Sequence, residues 1–355
     1  MSSNEKSSTG GLGACPVPIG SYDRIVLGHG SGGRLTNELI SEVFLPAFDN
    51  AVLSRLEDQA TLDLDGARIA VTTDAFVIKP IFFPGGDIGS LSVHGTINDL
   101  AVGGAVPEVI TAAFILEEGL EMRVLQRVAE SMSAACRAAG VSLVAGDTKV
   151  VDRGSCDKMF ITTTGIGVVP KGRALSAQAA RAGDRVLISG PLGDHGITIL
   201  ASREGIDLAG PLRSDSAPLH DLVRVMLADG PQIRCMRDLT RGGAASALNE
   251  IAMASRVSIV VDEARVPVRP EVRGACEILG LDPLYVANEG KLVAIVASAD
   301  VGRVLAAMRA HPLGTQACDV GEVSAELPGT VSVRSLFGAR RVVPLLATDQ
   351  MPRIC

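Results

Sequence analysis

Two mixed α/β domains, α/β in class with some α+β character, are predicted by three observations. Short β-branched runs alternate with apolar residues at helical spacing along nearly the whole chain. The 355 residues are too many for one domain of about 150. A polar stretch of Gly, Ala, Arg and Ser between Pro170 and Gly183 interrupts the alternation near the middle. The expected organisation is a flexible extension over 1–22, a first domain over 23–170, a second over 171–345 and a mobile tail over 346–355.

In the first half, Arg68–Thr73, Glu108–Leu116, Val141–Ala145 and Lys158–Val169 read as strands. Between them Val93, Ile97, Leu100 and Gly104 fall at helical spacing, as do Met122, Leu125, Val128, Met132 and Ala135 before Gly140. In the second half, Arg185–Ser189, Val257–Val261 and Leu292–Ala297 are strand-like. Leu219 to Met226, Val272 to Leu279 and Val301 to Met308 carry helical apolar stripes.

Composition removes several classes of function. Hydrophobic residues are 47% and charged residues 21%, which excludes a disordered chain. With no Trp, 3% aromatics and a net charge of −7, the chain has neither base-stacking platforms nor a general attraction for polyphosphate, so no nucleic-acid partner is expected. The most apolar stretch, Ala101 to Leu116, is broken by Pro107 and Glu108, so no membrane span is expected, and the first twenty residues lack a signal-peptide layout. Seven cysteines without a C-x-x-C pair suggest neither a disulfide framework nor a zinc site, and a reducing cytoplasm is the expected compartment.

Four motifs carry chemistry. The run from Gly28 to Arg34 holds Gly30, Ser31, Gly32 and Gly33, a loop able to turn backbone N–H groups around an anion or to serve only as a flexible turn. Acidic residues sit at element ends: Asp58 before a strand, Asp74 at the end of one, Asp99 beside Asn98 on a helix, Asp147 with Thr148 and Lys149 after a strand, and Asp238 opening Asp238-Leu239-Thr240-Arg241-Gly242-Gly243. Each aspartate alone reads as a cap or turn former, but their joint placement near a glycine loop suits a magnesium–nucleotide site. Glu289, in Asn288-Glu289-Gly290-Lys291, is either a solvated turn residue or a base. Cys355 ends the chain as a thiol nucleophile or carrier, on a tail whose ten residues span at most about 35 Å.

Taken together, these residues and the Pro352-Arg353-Ile354-Cys355 terminus resemble the HypE family, the carbamoyl dehydratases of nickel–iron hydrogenase maturation. That family lies in the ATP-using superfamily of aminoimidazole ribonucleotide synthetase, selenophosphate synthetase and thiamine-phosphate kinase. The resemblance runs from about Ile25 to Cys355; the terminus selects the branch, the aspartate motifs only the superfamily. It implies two domains of the aminoimidazole ribonucleotide synthetase type, the first binding ATP and dimerising through an intersubunit β-barrel.

The resemblance also implies roles. Asp58, Asp74, Asp99, Asp147 and Asp238 would hold Mg2+ directly or through water. Gly30 to Gly33, Asn98, Thr148, Thr240, Arg241 and Gly242 would hold ATP. Lys149 would neutralise developing charge, Glu289 would be the base and Cys355 would carry the reacting group. The implied partners are the carbamoyltransferase HypF, the HypC–HypD iron scaffold and a second copy of the chain. Two other readings stay open: another ATP-using superfamily member of the selenophosphate synthetase type, and a non-catalytic cyanide carrier using Cys355 as a handle.

Overall fold

The computed structural model describes residues 24–48, 50–206, 210–346, 351 and 353–355. The expected extension over 1–22, with Cys15, and most of the tail ahead of Met351 lie outside the described residues.

The glycine loop leads into helix α1 (Arg34–Leu39), which continues through a π-helical turn into α2 (Leu45–Phe48). Strands β1 (Ala60–Leu64), β2 (Ala67–Phe76), β5 (Val106–Glu117), β6 (Ser142–Val151) and β7 (Met159–Val168) form one sheet in the order β1-β2-β7-β5-β6. A small hairpin, β3 (Phe82–Phe83) with β4 (Gly86–Asp87), precedes helix α3 (Ile88–Val102). Asp87 caps α3, its carboxylate accepting from the Gly89 and Ser90 amides, which fixes where the helix starts. Helix α3 is apolar nearly all round and packs between the sheets, whereas α4 (Met122–Ala138) buries one stripe.

The second sheet holds seven strands in the order β14-β13-β10-β12-β8-β11-β9. These are β8 (Arg185–Ile188), β9 (Ile233–Asp238), β10 (Ser258–Asp262), β11 (Leu292–Val296), β12 (Cys318–Ser324), β13 (Thr330–Arg334) and β14 (Arg340–Val342). Around it lie α5 (Asp194–Glu204), α6 (His220–Met226), α7 (Gly243–Ser255), α8 (Pro270–Leu279) and α9 (Val301–Arg309). Every residue of β11 is buried, so it reads as a continuous apolar run.

One core cluster joins the halves: Phe76, Ile78 and Ile88 of the first pack with Ile197, Val272 and Val286 of the second, and Met351 and Ile354 of the C-terminus enter it. Two residues of the tail expected to be mobile, Met351 and Ile354, are therefore part of the core. Here the short sequence Met-Pro-Arg-Ile-Cys gave no periodicity from which burial could be read.

Candidate active site

A cavity of about 200 Å3 opens where the two domains meet. Asp58, Asp74, Asp99, Asp238, Glu289 and Cys355 line it. Each arrives by a different route. Alternation along β2 turns Thr72 and Asp74 to the same side. Asp99 lies in the last turn of α3, and the Thr72 hydroxyl lies 2.7 Å from its Oδ2 and 3.0 Å from the Asp58 carbonyl, within hydrogen-bond reach of both. Asp238 closes β9 directly opposite Leu292 of β11, and this register sets Glu289 beside it.

The charge balance of the cavity is strained. Burial and mutual repulsion push Asp99, Asp238 and Glu289 well above the usual carboxylate range, and burial raises Asp58 and Asp74 as well. Asp74 and Asp99 are close enough to share a hydrogen bond. Arg237, ion-paired with Asp58 and Glu250, and Arg241, facing Cys355, Asp74 and Glu289, are the opposing cations. Glu289 is buried, and among the described residues its Oε1 has no hydrogen-bond partner. An orphaned acceptor among crowded carboxyls is a site that wants a cation. Among the described residues no three such groups form a ready-made cage.

The anion-binding side is built from glycine. Gly242 and Gly243 have φ of +73° and +59°, and a Cβ on Gly242 would stand 2.0 Å from Ser246 Oγ. They open α7, whose N-terminus faces the cavity through Gly243 and Ser246, the polarity that receives phosphate. Arg241 Nη1 donates to the Gly30 carbonyl at 3.0 Å, and Gly32 packs against Arg241, so the first glycine loop lies over this turn. Ser31 is turned to its own loop, donating to Gly28, while a Cβ on Gly33 would strike the Leu346 carbonyl.

Three expectations need correction within one chain. Asn98 does not line the cavity: its Nδ2 donates to the Ala217 and Glu289 carbonyls and its Oδ1 accepts from Leu219 N–H, so its amide ties the domains together. Asp147, Thr148 and Lys149 are all exposed and do not join the cluster, because β6 runs on through them as the outer strand of its sheet. The sequence reading ended that strand at Ala145. Its reading of Asn288-Glu289-Gly290-Lys291 as a possible solvated turn is also overturned, since Asn288, Glu289 and Lys291 are all buried.

Missed altogether were Arg237 and Glu250. The spacing Gly243, Ser246, Glu250 would have placed Glu250 on the cavity face of α7.

The C-terminus docks into this site. Cys355 accepts from Val77 N–H at 3.0 Å through an oxygen of its terminal carboxylate, and Arg353 pairs with Asp157 at 3.0 Å.

Comparison with known proteins decides the family. The AIR synthase related protein N-terminal domain matches residues 56–169, and the corresponding C-terminal domain matches 181–334. A carbamoyl dehydratase HypE of Cupriavidus necator is 56% identical over 333 residues, 94% of this chain and 95% of that protein. The chain belongs to the HypE family. A HypE–HypF complex structure superposes with a TM-score of 0.83 at 45% identity, covering 87% of this chain and 99% of that one. A HypE in complex with ATP gives 0.79 at 49% identity, covering 94% and 100%. In this HypE-family chain the carboxylates, Gly32, Gly243 and the Cys355 residue line one cavity.

Proposed function

We infer that this chain is an ATP-dependent carbamoyl dehydratase acting on its own C-terminal cysteine. The observation that carries this reading is that the Cys355 residue lines the same cavity as the carboxylates and the N-terminus of α7. The reacting group is a carbamoyl on sulfur, S–C(=O)–NH2, delivered by HypF. Amide oxygen leaves poorly as water. Transfer of the ATP γ-phosphoryl to that oxygen, with loss of one N–H proton, gives S–C(OPO3)=NH and ADP. Loss of the second N–H proton and departure of phosphate gives S–C≡N. The cyanide supplies a ligand of the hydrogenase iron centre.

This chain's residues divide the work. The Gly242-Gly243 turn, Thr240 and the helix end orient the phosphates, with Gly30 to Gly33 folded over them. Arg241, beside Cys355, stabilises charge developing on the transferring group. Glu289 takes a nitrogen proton; its raised pKa makes it the stronger base once ionised. Mg2+ held among Asp58, Asp74, Asp99 and Asp238 would neutralise phosphate charge.

We further propose a homodimer. Strand β6 is open along one edge and exposes Leu143, Val144 and Val150 at 46%, 57% and 66%. An open apolar edge of this length calls for a partner strand, which a barrel between two copies would supply. Asp147, Thr148 and Lys149 would enter a site only through that assembly. Transfer of cyanide to HypC–HypD, and a reducing cytoplasmic setting that keeps Cys355 a thiol beside its ATP supply, complete the proposal.

Intact mass and C-terminal peptide mapping after incubation with HypF, carbamoyl phosphate and Mg-ATP test the reading. Gain of a carbamoyl on Cys355 followed by ATP-dependent loss of one water is expected. A carbamoylated tail that keeps its water would leave a carrier.

A further inference from the structure

The tail is held by a clamp that the sequence motifs did not mark. Its backbone runs between residues 77–79 of the first domain and α5 of the second. On one side Val77 N–H donates to the Cys355 terminal carboxylate at 3.0 Å, Lys79 N–H to the Arg353 carbonyl at 3.3 Å, and Arg353 Nε to the Val77 carbonyl at 3.2 Å. On the other, His195 Nε2 lies 2.8 Å from the Ile354 carbonyl and Arg203 Nη2 donates to the Arg353 carbonyl at 2.6 Å.

His195 is fully buried, with its ring edge-on to Phe83 at 5.7 Å. A carbonyl only accepts, so Nε2 must carry the proton. Nδ1 of the neutral ring then accepts from the Ser214 hydroxyl at 2.7 Å, and Ser214 Oγ in turn accepts from Ser216 N–H at 3.1 Å. The tautomer that grips the tail is therefore fixed from behind. Burial lowers the His195 pKa, which keeps the ring in this neutral form. The same loop reaches the cavity, because Asp215 Oδ1 accepts from Glu289 N–H at 3.0 Å.

We propose that His195 is a positioning residue for the reaction: with Ser214 fixing its tautomer, it grips the Ile354 carbonyl and so sets Cys355 at the carboxylate cavity. This rests on the dehydratase reading for its consequence, though the grip itself does not. Loading by HypF needs the tail outside and dehydration needs it inside, so a neutral, breakable hydrogen bond suits the exchange.

The test is run on the full-length protein. Alkylation of Cys355 is followed by the mass of the C-terminal peptide, beside ATP binding, HypF-dependent carbamoylation and single-turnover dehydration. His195→Ala should raise the alkylation rate about tenfold and slow dehydration by a similar factor, the loss of one buried hydrogen bond. ATP binding should stay as in wild type, and carbamoylation, which needs the tail outside, should be no slower. His195→Gln, whose amide reaches the Nε2 position, should restore both rates in part, whereas His195→Asn, which reaches only Nδ1, should not. Wild-type alkylation and dehydration in a folded His195→Ala protein would overturn the proposal. If that protein does not fold, the Gln and Asn variants and Ser214→Ala decide, and equal behaviour of all three overturns it. If wild type is loaded but never loses water while the variants still expose the thiol, the grip stands and the dehydratase reading fails.

Discussion

At the scale of single residues, Glu289 carries the sharpest expectation. Its carboxyl is buried, one oxygen has no partner among the described residues, and burial, then its neighbours Asp238, Asp215 and Asp74, raise its pKa. Glu289→Gln keeps the volume and removes the base. It should bind Mg-ATP within about twofold of wild type and dehydrate on the order of a hundredfold more slowly, read by single-turnover mass spectrometry. Unchanged turnover would remove Glu289 from proton transfer. The sequence named this residue from its motif but left its setting open between a turn and a site. What decided its setting was the β9–β11 register at Asp238 and Leu292, a long-range pairing that no local pattern encodes.

At the scale of elements, the α7 entry is a backbone device. Two successive glycines at positive φ let the helix begin where its N–H groups face the cavity. Gly242→Ala should cost about 1–3 kcal/mol in stability, because both the left-handed backbone and the 2.0 Å approach to Ser246 Oγ resist a methyl group. Chemical denaturation measures that, and ATP affinity should fall with it. Strand β6 is the second device. Val144→Glu, placed on its exposed face, should shift the protein toward monomer in light scattering and lower ATP turnover. A dimer and turnover both unchanged would locate the subunit contact elsewhere. Helices α3, α4, α6, α8 and α9 and strands β2, β5, β7, β8, β10 and β11 were legible because their apolar residues fall at helical spacing or in β-branched runs. Strand β6 was cut short because Gly-Asp-Thr-Lys reads as a turn when its neighbours are unknown. Strands β9, β12 and β13, and helices α5 and α7, were not read at all; several are short or apolar nearly all round, leaving little contrast to detect.

At the scale of the molecule, acid and base pull stability in opposite directions. His94, bonded to Ser216 at 2.9 Å, is pushed down to about 4 by burial and His220. Stability from its neutral form is present above the unfolded value near 6.5 and is lost as the pH falls toward 4, an effect of about 3 kcal/mol. The crowded carboxyls have raised values, so their contribution is greatest below 3.8 and is lost as the pH rises through their folded values. Mg-ATP, which needs them ionised, should therefore raise the melting temperature more at pH 8 than at pH 6, measured by thermal shift. An increment that does not grow with pH would detach the carboxyls from nucleotide binding. The fold class was legible from alternation and length, and the family from the terminal motif. The meeting of both halves and the docked tail at one cavity was not, because it depends on packing between elements more than a hundred residues apart.

The central claim is that ATP removes the carbamoyl oxygen from Cys355 as phosphate. The most direct test uses HypF to load the tail with a carbamoyl group labelled with oxygen-18, then adds Mg-ATP in unlabelled water and analyses the released phosphate. The account predicts one labelled oxygen in each phosphate formed, matched to thiocyanate on Cys355. Unlabelled phosphate alongside thiocyanate would contradict it, since the oxygen would then have left by another route.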